Sequence, residues 1–207
     1  GWRDASTVTE MASTEKLGVY IDICNISSNL YEYEYEGLTL DYQRMIEELV
    51  GHRDVAVMKG YDCIVDEGSD EYLVQEELRR AGVELVLTES TRKTYPDSCR
   101  QYTVQKEVDT GITTDVSWDL ATGVVDTALI ISGDRDMRPA ILRAAAAGKK
   151  VEVACLRCSI GDDYASSLTD LTLIDDLEVF LLESLPTSDA VGEGAGCIQT
   201  KEVSIHA

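Results

Sequence analysis

Four aspartates stand where a chain could do chemistry with them. Asp22 lies at the tip of the apolar run Leu17 to Ile23, "LGVYIDI". Asp134 and Asp136 follow the run "DTALIIS" at once, in "SGDRD". Asp109 opens the pattern "KEVDTGITTDV". An aspartate closing a buried strand is costly unless something satisfies it. Asp134 and Asp136 also suit a plain turn before a helix, and Asp109 suits a helix cap. The combination is what points to a site. Carboxylates crowded into one crevice repel, and they stay ionised together only beside a cation. All-oxygen ligands select a hard ion, Mg2+ or Mn2+. Such an ion activates water and neutralises charge on a phosphate.

The surrounding pattern says how these acids could meet. Strand-like runs occur at "LGVYIDI", "DVAVMKGYDC", "VELVLTES", "DTALIIS" and "KVEVACL". Between them, helical spacing covers Leu40 to Val50, Tyr72 to Ala81, Asp109 to about Ala121 and Arg138 to Ala147. The run "YEYEYEG", Tyr31 to Gly37, reads as a solvated loop or edge strand after the first strand. Strands alternating with helices imply right-handed crossovers and an α/β fold with a parallel, doubly wound, five-stranded sheet. In such sheets the functional crevice lies beyond the carboxyl ends of strands, where strand order reverses. If the first and fourth strands are neighbours there, Asp22 and Asp134 face one crevice. Asp115 is less easily placed. It lies six residues after Asp109, about 240° around a regular helix. The two converge only if Asp109 is a cap pointing off the helix.

Composition sets the frame. The chain has 207 residues, with 18 basic and 39 acidic, for a formal charge of −21. That field repels polyanions at long range, and it also fits a chain that works in high salt. A metal between acids and phosphodiester would answer the repulsion. One domain is expected over residues 16–183, with a lead over 1–15 and a flexible acidic tail over 184–207. No apolar run approaches the ~20 residues that span a bilayer, and no signal peptide is visible, so no membrane partner and a cytoplasmic location are expected. Six cysteines include the pair Cys155 and Cys158. No second pair completes a zinc site, so packing thiols are expected.

Three stretches taken together, "VYIDICN", "KEVDTGITTD" and "ALIISGDRDMRPAILRAAAAGKKVEV", resemble the NYN domain of the LabA-like branch of the PIN-like nucleases. The resemblance runs from about Leu17 to Leu182. It implies a three-layer α/β/α sandwich whose acidic cluster binds a divalent metal and cuts RNA. On that resemblance Asp22, Asp109, Asp134 and Asp136 would be the metal-site acids, and Asn25, Lys106, Asp115 and Ser132 supporting positions. Ile23, Cys24, Arg135 and Met137 depart from the residue types usual in the family at their positions.

The function this implies is Mg2+- or Mn2+-dependent hydrolysis of single-stranded RNA. The stretch "LTESTRKTYPDSCRQYTVQK" is locally basic, with Arg92, Lys93, Arg100 and Lys106 interleaved with Tyr95 and Tyr102. Cationic and aromatic groups together suit single-stranded nucleic acid, although a solvated loop would look the same. Arg135 is close enough to the acids to reach a scissile phosphate. The alternative is an NYN-fold RNA- or nucleotide-binding module with little or no catalysis, acting through a protein partner or as a homodimer. A haloacid-dehalogenase phosphatase is disfavoured, because strand one ends "DIC" where that chemistry needs D-x-D.

Overall fold

The computed structural model describes residues 15–33, 35–89, 91–94, 101–104 and 107–182. In chain order the elements are β1 (Lys16–Asp22), α1 (Ile23–Glu32), β2 (Leu38–Leu40), α2 (Tyr42–Val50), β3 (Asp54–Cys63), α3 (Asp70–Arg80) and β4 (Glu84–Thr88). Then come β5 (Thr91–Thr94), β6 (Gln101–Val104), α4 (Val108–Thr122), β7 (Thr127–Ile131), α5 (Arg138–Ala146), β8 (Lys150–Cys155), α6 (Asp162–Ala165), β9 (Leu171–Leu173) and β10 (Phe180–Leu182). A short 3-10 turn, Arg135–Met137, leads into α5.

The central sheet has six strands in the order β4-β3-β1-β7-β8-β9, and every pairing in it is parallel. The five expected strands are all present, and β1 and β7 are neighbours. The expectation of five strands is corrected to six by β9, which is three residues long and too short to show a period. Two small antiparallel pairs stand apart, β2 with β10 and β5 with β6. No helix among the described residues is long and apolar enough to cross a membrane.

The strands at the centre are buried on both faces, and their alternate residues feed two cores. On one side Val19, Ile21, Leu129 and Ile131 pack with Ile23, Ile26, Met45, Ile46 and Leu78 of α1, α2 and α3. On the other side Tyr20, Ala128 and Ile130 pack with Val108, Ile112, Val116, Leu120 and Ile141 of α4 and α5. The chain is thus an α/β/α sandwich. From β1 it winds outward through β3 and β4, and then returns to β7 and winds the other way through β8 and β9. The crevice of reversal lies at the carboxyl ends of β1 and β7.

The expected loop after β1 is instead helix α1. Its residues include Asn25, Ser27, Ser28 and Asn29, types that favour turns and caps because their side chains compete for backbone groups. Here the competition is absorbed within the helix: Ser27 and Asn29 donate to carbonyls four residues back. Tyr31 and Glu32 belong to the last turn. Beyond it, Tyr35 stacks on Phe180 with ring centroids 5.3 Å apart and donates to Asp175 at 2.6 Å. Among the described residues Cys24, Cys63, Cys155 and Cys158 are not joined in disulfides.

Candidate functional site

The crevice is built from three chain turns. Asp22 is both the last residue of β1 and the N-cap of α1: its Oδ1 accepts from the Asn25 backbone N–H at 3.0 Å. Its Oδ2 accepts from the Ser132 hydroxyl, just after β7, at 2.8 Å. The same hydroxyl accepts from the Asp134 N–H at 3.1 Å, so Ser132 ties two of the acids to one oxygen. Asn25 crosses the crevice in the other direction, its Oδ1 accepting from the Gly133 N–H at 3.0 Å. Gly133 is required there. A Cβ on it would lie 2.6 Å from the Ser159 carbonyl oxygen. Asp134 caps the turn that follows, accepting from the Asp136 N–H at 2.8 Å.

The third acid comes from α4. Asp109 sits in its first turn, one residue after Val108. It is therefore a helical residue rather than the cap; the N-cap is Glu107, which makes no capping bond. Asp22, Asp109 and Asp134 each offer a carboxylate oxygen, and these oxygens all lie within 4.8 Å of one another. Asp136 is exposed and outside that group, but its charge is felt by Asp109. Asp115 turns away, as the helical arithmetic required. Its Oδ2 accepts from the Lys59 ammonium at 2.9 Å and from the Tyr61 hydroxyl at 2.8 Å.

Electrostatics separate these acids. Asp22 is 3 % exposed. Burial pushes its carboxyl up to about 7, against the bonds from Asn25 and Ser132, with the charges of Asp109 and Asp134 adding to the rise. Burial also raises Asp109, helped by Asp134 and Asp136. Asp115 goes the other way: burial raises it, but the Lys59 and Tyr61 contacts more than offset that, and the net shift is downward. Three facing carboxylates, with Asp22 and Asp109 raised in proton affinity and no cationic side chain bonded to the three among the described residues, suit a divalent cation. The donor set is all oxygen and matches a hard ion.

Among the other sequence candidates, Arg135 is exposed on the turn beside Asp134. Arg92 and Lys93 fall on β5, of which the backbone pairing with β6 is described. Arg100, Lys106 and Tyr95 lie outside the described residues, as do the lead 1–14 and the tail 183–207. Sequence reasoning missed Lys59 and Tyr61, which hold Asp115. The only local signal for them was Lys59 and Tyr61 themselves in "DVAVMKGYDC", a strand of which the last four residues are buried.

A family model for the NYN domain matches residues 16–172. None of the curated proteins is similar enough to match. Among solved structures, one of a Vibrio parahaemolyticus protein of unknown function is similar: TM-score 0.63, 23 % identity, covering 80 % of this chain and 98 % of that one. At that identity the likeness supports the fold. The family is generally one of nucleases with a PIN-like fold, and this chain carries that fold together with a cluster of acids at the sheet's carboxyl edge. The match spans most of the chain, and the chain belongs to the NYN domain family.

Proposed function

We propose that the chain is a Mg2+- or Mn2+-dependent ribonuclease that hydrolyses phosphodiesters of single-stranded RNA at the Asp22, Asp109 and Asp134 cluster. The observation that carries this reading is the convergence of three carboxylates from three separate elements, within 4.8 Å, at the reversal point of the sheet. Those three residues would hold the ion, which supplies water activation and charge neutralisation on the phosphate. The rest is the work of the chain's own groups. Ser132 and Asn25 hold Asp22 in one orientation and lock the loop that carries Asp134. Asp109 has no donor bonded to its carboxylate among the described residues, so it is placed to take a proton from water. Arg135, exposed on the turn beside Asp134, would meet a phosphate oxygen.

The test is cleavage of a labelled single-stranded RNA by purified protein in Mn2+, Mg2+ and EDTA, at low and molar salt, with Asp134→Asn beside the wild type. Cleavage that needs both metal and Asp134 is the expected result. A folded protein that cleaves nothing in any of these conditions would leave the binding module as the better reading.

A further inference from the structure

A cleft of about 650 Å3 adjoins the acid cluster and shares Asp134 with it. Its walls include Asn25, Asn29 and Tyr33 from α1 and its end, Arg135 from the turn after β7, and Ser159 and Tyr164 from the segment after β8. That volume falls in the range of sites that enclose small ligands, roughly 300–1,000 Å3.

Unmet hydrogen-bonding groups say what the ligand offers. Tyr164 is 2 % exposed, and its hydroxyl has no partner among the described residues. Arg138 Nε is a second buried polar atom in the same condition. Buried polar groups are normally paired, and the unpartnered hydroxyl of Tyr164, which lines the cleft, suits an anionic oxygen; Arg138 itself is not on the cleft wall. Arg135 adds an exposed guanidinium with no ion pair among the described residues, in a chain with 39 acidic side chains.

The opposite wall has a different chemistry. Asn25 spends its Oδ1 on Gly133, which leaves its amide NH2 without a partner among the described residues. Asn29 spends its NH2 on the Asn25 carbonyl, which leaves its own Oδ1 likewise unpartnered. One free donor beside one free acceptor matches the edge of a nucleobase. Tyr33, half exposed on the same wall, offers an aromatic surface for stacking. Asp162 and Asp163 also line the cleft, but both are exposed. Water and salt screen them, and rim carboxylates accept well from ribose hydroxyls.

We propose that this cleft seats one unpaired nucleotide of a single-stranded RNA, its base against Tyr33 and the Asn25 and Asn29 amides, its phosphate toward Arg135, Tyr164 and the acid cluster. The proposal rests on the reading of the acids as a phosphodiester site, and it adds where the strand lies and what recognises it.

Calorimetric titration of the full chain with uridine and adenosine 5′-monophosphate, in EDTA, tests it without relying on turnover. Inorganic phosphate and ribose serve as controls. The nucleotides are expected to bind at least ~10-fold more tightly than phosphate, and Tyr33→Ala to weaken them roughly 5- to 50-fold. Tyr164→Phe is expected to weaken them about 5-fold while leaving the thermal midpoint unchanged or higher. A tyrosine that merely packs would not give that pair of results. Asp54→Asn, exposed at the start of β3 and outside both the cleft and the acid cluster, should leave nucleotide affinity within about 2-fold. Nucleotides that bind no better than phosphate, or Tyr33→Ala and Tyr164→Phe proteins that bind as the wild type does, overturn the cleft. Nucleotide binding that depends on Tyr33 and Tyr164 in a protein without metal-dependent cleavage would sink the hydrolase reading and leave the cleft standing.

Discussion

Helix α4 carries acids into two regions with opposite fates. Near its start, Asp109 faces Asp22 and Asp134, and no cationic side chain among the described residues is bonded to any of the three. Further along, Asp115 is bonded by Lys59 and Tyr61, and Asp119, 8 % exposed, accepts from the Tyr20 hydroxyl at 2.8 Å. The residue type is the same in both regions. In the second, donors from β1 and β3 satisfy each carboxylate and fix the helix on the sheet. In the first, acids face acids, and burial raises the proton affinity of Asp22 and Asp109. The donors to Asp115 and Asp119 make those carboxylates structural, whereas three carboxylates facing one another with no cationic side chain bonded to them among the described residues could bind a divalent cation. The second region also serves the first, because the bonds to Asp115 and Asp119 hold the register that delivers Asp109.

The comparison can be broken first at the facing acids. Asp109→Asn or Asp134→Asn is expected to cut RNA cleavage at least ~100-fold, as loss of a metal ligand does. The same variants should raise the thermal midpoint of the metal-free protein, because a like-charge contact is removed. A fall in that midpoint would mean the acids are already satisfied.

The next effect is one of pH. The folded-state value of Asp22 lies above the unfolded one, so the folded protein binds the proton more tightly. In the metal-free protein the contribution of Asp22 to stability should therefore be fully present below the ordinary value of 3.8 and be lost as pH rises to about 7. The full change is on the order of 4 kcal/mol. A divalent ion competes with that proton, so the stabilisation it gives should grow over the same window. Thermal midpoints with EDTA and with Mg2+, followed across that range, check the sign; a metal effect independent of pH would contradict it.

Smaller effects belong to the donor-bonded region. Asp115→Asn leaves the partly buried Lys59 without its counter-charge and should cost about 2 kcal/mol. Tyr20→Phe removes the hydroxyl that satisfies buried Asp119 and should cost about 1 kcal/mol. In both variants denaturant unfolding should show the loss, while Mn2+ affinity changes less than ~10-fold. Loss of metal binding equal to that of Asp109→Asn would erase the distinction between the regions.

Much of this was legible beforehand, for physical reasons. Strands β1, β3, β7 and β8 sit between two helical layers, and their long apolar runs announce it. The acids at the tips of β1 and β7 followed from those runs and from the reversal rule. The divergence of Asp109 and Asp115 was visible in helical arithmetic. Helix α1 was not legible, because Asn25, Ser27, Ser28 and Asn29 are turn formers whose bonds back into the helix appear only once it exists. Nor were β9 and β10, at three residues each. The pairing of Asp115 with Lys59, 56 positions away, and of Asp119 with Tyr20, 99 away, depends on tertiary placement that local pattern does not carry.

The most direct test of the central claim is calorimetric titration of Mn2+ into the wild-type chain and into the Asp109→Asn, Asp134→Asn and Asp115→Asn variants, near neutral pH. Binding in the wild type and in Asp115→Asn, with binding lost in the other two, is the expected pattern. Mn2+ affinity in Asp109→Asn and Asp134→Asn equal to the wild type's would contradict the claim that these facing acids hold the ion.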